Sequence, residues 1–460
     1  MKVLLFRPRP DKETIGLQNV MICEPLELEY VASNIECNGH EAVIVDMILE
    51  KKKITYFLNL HKPDAVGVSG YISHVNIIKE YCRQVKEFDA GIKTIVGGVH
   101  AEVNPEDYEC AYIDYIIRAN PLKTFNEILV QMEEEPAKRI PGVFYKDGPV
   151  YEKENCFQYL YPDREKVNKY RSKYYYMFHR NCSLIKTSFG CPYNCKFCFC
   201  RQITDDKYFA RELEDIISEL KGIPETEIYI VDDDFLFNRE RMLEFAKLLK
   251  KHNIQKKYLV YGRADFIAEN EDVIAKLKEV GLRAVIVGLE SCDSHELTDY
   301  NKRTNVGINE KAVEILHKYD VECYGTFILG LDWEWADFKA LLKWIKKLGL
   351  VFVNLQPLTP LRGTEMYEAY KDDFIVREDE YEKWDLAHLV VRPSKISVRQ
   401  YYWYTMWLYY RITANPKSGF YMIKKYGLHD TLKLSIGAMA VNWQYLKKLI
   451  GGEKSGRKKE

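Results

Sequence analysis

No stretch of this sequence stays apolar for long enough to cross a bilayer, so a membrane-spanning helix is not expected. Charge of one sign is lacking too: 67 basic residues face 68 acidic ones, for a net charge of −1. General nucleic-acid binding usually shows as a basic excess, and the chain has none. No secretory leader is expected, because Met1-Lys-Val-Leu-Leu-Phe has the pattern of a first strand, interrupted by Arg7 and Arg9. The twelve cysteines are therefore expected as thiols in a reducing compartment, serving as ligands or buried apolar groups, and the expected location is the cytoplasm. Nearly half the residues are apolar, a globular composition, and 460 residues are too many for one ordinary core. Two or three domains follow.

The most informative stretch is Ser188-Phe-Gly-Cys191-Pro-Tyr-Asn-Cys195-Lys-Phe-Cys198-Phe-Cys200. It follows a strand-like run at Leu184 and Ile185, and an amphipathic helical pattern begins near Phe209. A tetrahedral zinc site takes four ligands, commonly from paired C-x-x-C units. Three thiolates spaced C-x-x-x-C-x-x-C suit a [4Fe–4S] cluster whose fourth iron stays open. Spacing alone leaves zinc-bound or structural cysteines as the alternative. The loop resembles the cluster loop of the radical S-adenosylmethionine (SAM) enzymes, with Phe197 as the aromatic before the third cysteine. The resemblance implies that Cys191, Cys195 and Cys198 hold the cluster, and that its open iron binds the amine and carboxylate of SAM. One electron then cleaves SAM to methionine and a 5′-deoxyadenosyl radical, and a reducing donor such as ferredoxin or flavodoxin is implied. Cys182 and Cys200 flank the triad; either could tune or extend the cluster, buried spectator thiols being the commoner case. Nothing resembles the ligand set of a second cluster.

In residues 1–150, β-branched runs at Val3–Phe6, Ala42–Asp46, Ala65–Ser69, Thr94–Val96 and Tyr112–Ile117 alternate with helical patterns at Pro25–Ile35, Val75–Phe88 and Thr124–Glu133. Such alternation predicts an α/β domain, a Rossmann-like doubly wound parallel sheet with its ligand over the carboxyl ends of the strands. Asp64-Ala-Val-Gly-Val-Ser-Gly and Thr94-Ile-Val-Gly-Gly-Val-His-Ala resemble the cobalamin-binding domain that precedes many radical SAM domains. Carried over, the residues along the cofactor's nucleotide tail are Ser69, Gly97 and Gly98. The D-x-H-x-x-G motif is absent, as in many members of that subgroup. The family's Gly-Glu-Gly-Glu is replaced by Ala119-Asn120-Pro121-Leu122, so the turn there must be built differently, and a sheet kept as scaffold without a corrinoid is the alternative.

Residues 151–180 read as a connector. From 181 to 370 strand candidates at Thr226–Val231, Tyr258–Tyr261, Ala284–Gly288, Cys323–Leu329 and Val351–Leu355 are separated by helical patterns, including Arg239–Lys251 and Phe338–Leu348. Together with the first strand they predict a partial (β/α)6 radical SAM barrel, with reacting groups at the carboxyl ends of its strands. Those ends carry Asp232-Asp233-Asp234, Gly262-Arg263, Gly288-Leu-Glu290 and Gly325-Thr-Phe327. The resemblance assigns Phe197, Asp232, Asp233, Arg263, Glu290 and Phe327 to SAM. From the residues alone, the acids could equally cap the helix near Asn238, and Arg263 could pair with Asp265 or Glu290. Asp332-Trp333-Glu334-Trp335 replaces the family's usual Pro-Gly-Glu-Thr, and Gly363-Thr364-Glu365-Met366-Tyr367 resembles its closing motif.

Residues 371–460 are expected to form a small helical cap, rich in aromatics at Tyr401–Tyr410, with further helices at Tyr421–Tyr426 and Leu432–Leu449. Such a block could close the barrel mouth over an apolar substrate or meet a membrane surface peripherally. The predicted activity is radical SAM chemistry at an unactivated carbon, with cobalamin-dependent C-methylation first and radical ring closure or rearrangement second. The substrate is a small molecule, a lipid, isoprenoid or tetrapyrrole. A binding or scaffold protein with a structural Fe–S or zinc site is the alternative from another class.

Overall fold

A computed structural model describes residues 1–133, 138–148, 160–204 and 207–451. Cys156 and the basic tail after 451 lie outside the described residues. The first domain is a five-stranded sheet of β1 (Lys2–Arg7), β2 (Glu41–Asp46), β3 (Ala65–Ser69), β4 (Lys93–Gly97) and β5 (Tyr115–Ile116). Every pair is parallel, in the order β2-β1-β3-β4-β5. Helices α1 (Leu26–Cys37) and α5 (Pro121–Glu133) cover one face through Leu28, Ala32, Phe125 and Ile128. Helices α2 (Ile54–His61) and α3 (Val75–Phe88) cover the other through Phe57, Leu58, Ile78 and Val85. A sheet buried on both faces explains why its strands are continuous apolar runs. The five-residue helix α4 (Val99–Val103) follows β4.

The replaced glycine-rich turn is rebuilt in a legible way. Asn120 adopts the left-handed conformation (φ 50°), which asparagine tolerates better than most side chains. Pro121 then opens α5 at a position where its missing N–H costs nothing.

The connector engages both domains. Val167, Tyr170 and Tyr174 join the core of the first sheet, while Phe178 and Cys182 join the interior of the second. Arg164 bridges Glu24 of the first domain (2.6 Å) and Glu219 of the second (2.9 Å).

The second sheet has six parallel strands in sequence order: β6 (Ser183–Ile185), β7 (Glu227–Ile230), β8 (Lys257–Gly262), β9 (Leu282–Glu290), β10 (Glu322–Leu329) and β11 (Phe352–Pro357). Between them run α6 (Leu213–Gly222), α7 (Arg239–Lys251), α8 (Val306–Lys318) and α9 (Trp335–Lys347) among others. The region near Phe209, expected as a helix start, is instead a two-residue strand, Phe209–Ala210, paired with Ser188–Phe189. Inward-facing Leu184, Tyr229, Leu259, Ile286, Tyr324 and Phe352 fill the amino-terminal half of the barrel. Tyr176 stacks on Tyr324 there, and Phe178 on Tyr426. Each such ring is worth about 1.5–3 kcal/mol of burial. Towards the carboxyl ends the same inward face carries Tyr261, Gly288, Thr326, Asn354 and Gln356, none of them fully buried, so the barrel is hollow at that end.

Three helices close the chain: α10 (Val398–Thr413), α11 (Pro416–Tyr426) and α12 (Leu428–Gly451). The aromatic block lies on α10, which starts at a Ser397–Gln400 capping box. Its Tyr409 hydroxyl accepts from the Leu355 N–H (3.0 Å) and donates to the Leu355 carbonyl (2.9 Å). Thus α10 covers the edge strand β11, satisfying a backbone that would otherwise be an open edge.

Candidate active site

The cysteine loop leaves β6 and is held from three sides. Gly190 is left-handed (φ 81°), and a Cβ there would overlap the Lys207 carbonyl, so only glycine closes this turn. Lys196 N–H donates to the Tyr300 carbonyl (3.1 Å), and the Asn301 amide donates to Asn194 (2.9 Å). Phe197 packs edge-on to Tyr300 and lies beneath the Lys302 ammonium. Cys191, Cys195 and Cys198 are near enough to influence one another. Burial pushes the Cys191 thiol up to about 12, with the charges of Cys195 and Cys198 adding to the effect. Burial also raises Cys195, opposed by Lys302 and Arg263. The Cys200 thiol points at Cys198, favouring the Cys198 thiolate while holding Cys200 protonated. Three thiols near one another and near two cations are the donor chemistry that an iron–sulfur cluster takes.

The three consecutive aspartates after β7 separate into different tasks. Asp232 is buried and accepts from Thr187 N (2.6 Å), Ser188 Oγ (2.7 Å) and Thr187 Oγ1, so it braces the cysteine loop and does not face the hollow. Asp233 accepts from Gly190 N (3.0 Å) and Lys186 Nζ (3.3 Å), with Cys200 Sγ at 3.7 Å. Asp234, which the sequence argument passed over, is 2 % exposed, and neither of its carboxylate oxygens has a hydrogen-bond partner. Burial raises its pKa to about 8 against the pull of Arg263 and Lys302. An unpartnered buried carboxylate beside the cluster loop is what a ligand ammonium would satisfy.

Arg263 forks onto Asp265 (3.0 and 2.7 Å), donates to the Lys302 carbonyl (2.6 Å) and lies 3.6 Å above the Tyr193 ring. Its charge is already matched within the protein. Glu290 is left-handed (φ 58°) at a break in the β9–β10 register, and it pairs with Lys302 at 2.7 Å. Burial would lower the Lys302 ammonium, but Glu290 and Cys195 outweigh it and hold its pKa up. A Cβ at Gly288 would meet Lys302 Nζ at 2.6 Å, so the glycine of Gly-Leu-Glu makes room for this pair. Phe327 does not reach the hollow. It is fully buried on the helix side of β10, edge-on to Trp344 of α9. Strand alternation places Thr326 on the inner face instead, in register with Gly288 and Asn354. Period two, counted from inward-facing Tyr324, would have found it.

Ser69 and Gly97 are register partners at the ends of β3 and β4. Gly98 (φ 98°) lies so close that a Cβ would come within 2.7 Å of Ser69 Oγ and 3.0 Å of Gly70 N. A Cβ on Gly97 would meet nothing nearer than 3.8 Å, leaving a bare backbone cradle for an extended ligand. The two halves of the site adjoin. Helix α4 packs against the short helix Cys200–Ile203 that follows the cysteine loop. Asp107, just beyond α4, accepts from His100 (2.8 Å), Arg362 of the barrel-closing loop (2.7 Å) and Tyr381 (2.9 Å). Tyr71 and Tyr261 are 61 % and 37 % exposed, yet burial raises both phenols, Tyr71 to about 12. Tyr261 senses Cys200 and Asp233 on one side, and Tyr71 senses Tyr261, Glu27 and Arg7 on the other. These neighbours link the cysteine loop to the first sheet.

Comparison with known proteins agrees with this division. Residues 15–129 match the B12 binding domain, and residues 185–345 match the Radical SAM superfamily. The chain is 26 % identical over 411 residues to the hopanoid C-3 methylase of Methylococcus capsulatus, covering 87 % of this chain and 78 % of that one. It is 21 % identical to the anaerobic magnesium-protoporphyrin IX monomethyl ester cyclase of Rubrivivax gelatinosus, covering 86 % and 74 %. The structure of the cobalamin-dependent SAM radical enzyme OxsB with aqua-cobalamin and SAM superposes with a TM-score of 0.70 at 14 % identity, covering 98 % and 80 %.

Proposed function

This chain is a radical SAM enzyme with a B12-binding domain, and from that premise we propose that it methylates an unactivated carbon of an apolar small molecule. One observation carries the proposal: helix α4, which follows the glycine cradle of the first sheet, packs against the helix after Cys200, so the cradle and the cysteine loop adjoin. A cluster held by Cys191, Cys195 and Cys198 would supply the electron that makes a 5′-deoxyadenosyl radical from SAM, and cobalamin along Ser69, Gly97 and Gly98 would supply the methyl group. The other side chains orient and exclude. Asp234 receives the ammonium of SAM, which lets it ionise. The Glu290–Lys302 pair and Phe197 fix the wall beside the loop, while Asp232 and Asp233 hold its shape. The domain contacts keep water from the hollow, which limits side reactions of a radical. Ferredoxin or flavodoxin serves as reductant. The relatives named hopanoid methylase and magnesium-protoporphyrin cyclase support a lipid or tetrapyrrole substrate. The test is anaerobic reconstitution with hydroxocobalamin, SAM and candidate polycyclic lipids or porphyrins. Methylation yields S-adenosylhomocysteine together with 5′-deoxyadenosine. The second reading, ring closure, is favoured by the cyclase relative and yields 5′-deoxyadenosine without S-adenosylhomocysteine.

A further inference from the structure

Helix α12 shows two opposite faces. Thr431, Val441 and Tyr445 are buried against the rest of the protein. On the other side Leu428, Leu432, Ile436, Met439 and Trp443 follow one another at helical spacing, each more than half exposed, with Ile436 at 67 % and Met439 at 68 %. Single exposed apolar residues are ordinary on a protein surface; five in one stripe are not. The neighbouring α11 adds Phe420, 72 % exposed. None of these helices is long and apolar enough to cross a membrane among the described residues.

The charge around the stripe says what covers it. From Val398 to Gly451 the chain has eight lysines or arginines against one acid, Asp430, although the whole chain is balanced at −1. Asp430 is engaged by Arg180, which removes its charge from the outward face. Lys425 and Lys448 pair with acids of other elements, Glu322 and Glu13. Lys424 and Lys447 are exposed. An apolar stripe with basic flanks fits an anionic lipid surface better than an acidic or neutral protein face.

The inner side of α12 points the same way. Gln444 Oε1 accepts from Gly16 N (3.1 Å), Gly437 lies against the Asn19 backbone, and Lys448 holds Glu13 (2.6 Å). Residues 13–20 lead directly to Cys23 and Glu27, neighbours of Tyr71 at the hollow. A helix lying in the lipid headgroups would therefore put the bilayer one segment away from the place where chemistry occurs.

We propose that the outward face of α12 seats the enzyme on anionic phospholipid, from which an apolar substrate reaches the hollow past residues 13–20. The lipid docking stands on the surface alone; the substrate route rests on the apolar-substrate reading above. The test is flotation of the full, cluster-reconstituted chain with phosphatidylcholine vesicles, with and without phosphatidylglycerol, while SAM cleavage is measured in the same samples. The wild type should float with the anionic vesicles, much less with neutral ones, and progressively less as salt rises. Ile436→Glu with Met439→Glu should abolish flotation while leaving SAM cleavage unchanged. Lys424→Gln with Lys447→Gln, which leaves the apolar stripe intact, should weaken it roughly tenfold or more. A wild type that stays at the bottom with anionic vesicles overturns the proposal, as does undiminished flotation of the Glu variant. A concentration-dependent dimer that the Glu variant breaks also overturns it, because a second copy would then cover the stripe. Cleavage without flotation sinks only the docking; flotation without cleavage sinks only the catalytic reading.

Discussion

Replacing Asp232 with alanine separates a bracing role from a ligand-binding one. The carboxylate is buried and accepts three hydrogen bonds from the start of the cysteine loop, one from the Thr187 backbone and two from the Thr187 and Ser188 hydroxyls. Removing it strands a buried backbone N–H and leaves two hydroxyls to find other acceptors. Each unsatisfied buried group costs about 1–3 kcal/mol. With partial relaxation we expect a loss of about 3–5 kcal/mol, or roughly 10 °C in the unfolding midpoint of a domain this size. The assay pairs thermal unfolding of the cluster-free protein with iron content after anaerobic reconstitution. Both should fall, while SAM affinity of the fraction that keeps its iron stays near wild type. A variant with wild-type midpoint and iron, but weakened SAM binding, would refute the bracing role and return Asp232 to the ligand.

Asp234→Asn tests the opposite assignment. Its folded pKa of about 8 lies above the ordinary 3.8, so between those values the folded protein holds a proton that the unfolded chain has lost. Stability must then fall as pH rises through that window, by at most about 6 kcal/mol. The variant should match wild type near pH 4, be the more stable of the two near pH 8, and bind SAM more weakly; a pH-independent difference in midpoints contradicts this. Gly98→Ala forces a Cβ into Ser69 and Gly70 at a positive φ. It should lose cobalamin, read from the visible spectrum, while retaining iron. Asp107→Ala removes the common acceptor of His100, Arg362 and Tyr381, at a cost of about 3 kcal/mol. It should admit protease between the domains sooner than in wild type, and an unchanged digestion pattern would exclude Asp107 as the clamp.

Much of the fold was legible because both sheets are parallel and buried, which writes each strand as an uninterrupted apolar run. Helix α7 was expected at Arg239–Lys251 and is found there. Helix α2 was missed because it spans only Ile54–His61 between lysines and a proline. The strand at Phe209–Ala210 could not be seen locally, since its partner is the cysteine loop itself. The aromatic block left a cap over the barrel mouth, a membrane contact and a packed helical cap open from sequence; in the fold its hydroxyls are used in packing, Tyr401 donating to the Leu329 carbonyl (2.8 Å) and Tyr409 capping β11. In the site, motif spacing locates the loop and the strand ends but not the direction of each side chain. The aspartates are adjacent in sequence, and only the fold shows that Thr187, Ser188 and Gly190 engage the first two and leave the third bare. Phe327 missed the hollow by one residue, the smallest error that strand alternation allows.

The most direct test is anaerobic reconstitution of wild type and Cys195→Ala, followed by reduction in the presence of SAM. The wild type should hold about four irons per chain and release 5′-deoxyadenosine, and the variant should do neither. Wild type that binds iron and SAM yet never releases 5′-deoxyadenosine with any candidate substrate, or a variant that cleaves SAM as well as wild type, would contradict the account.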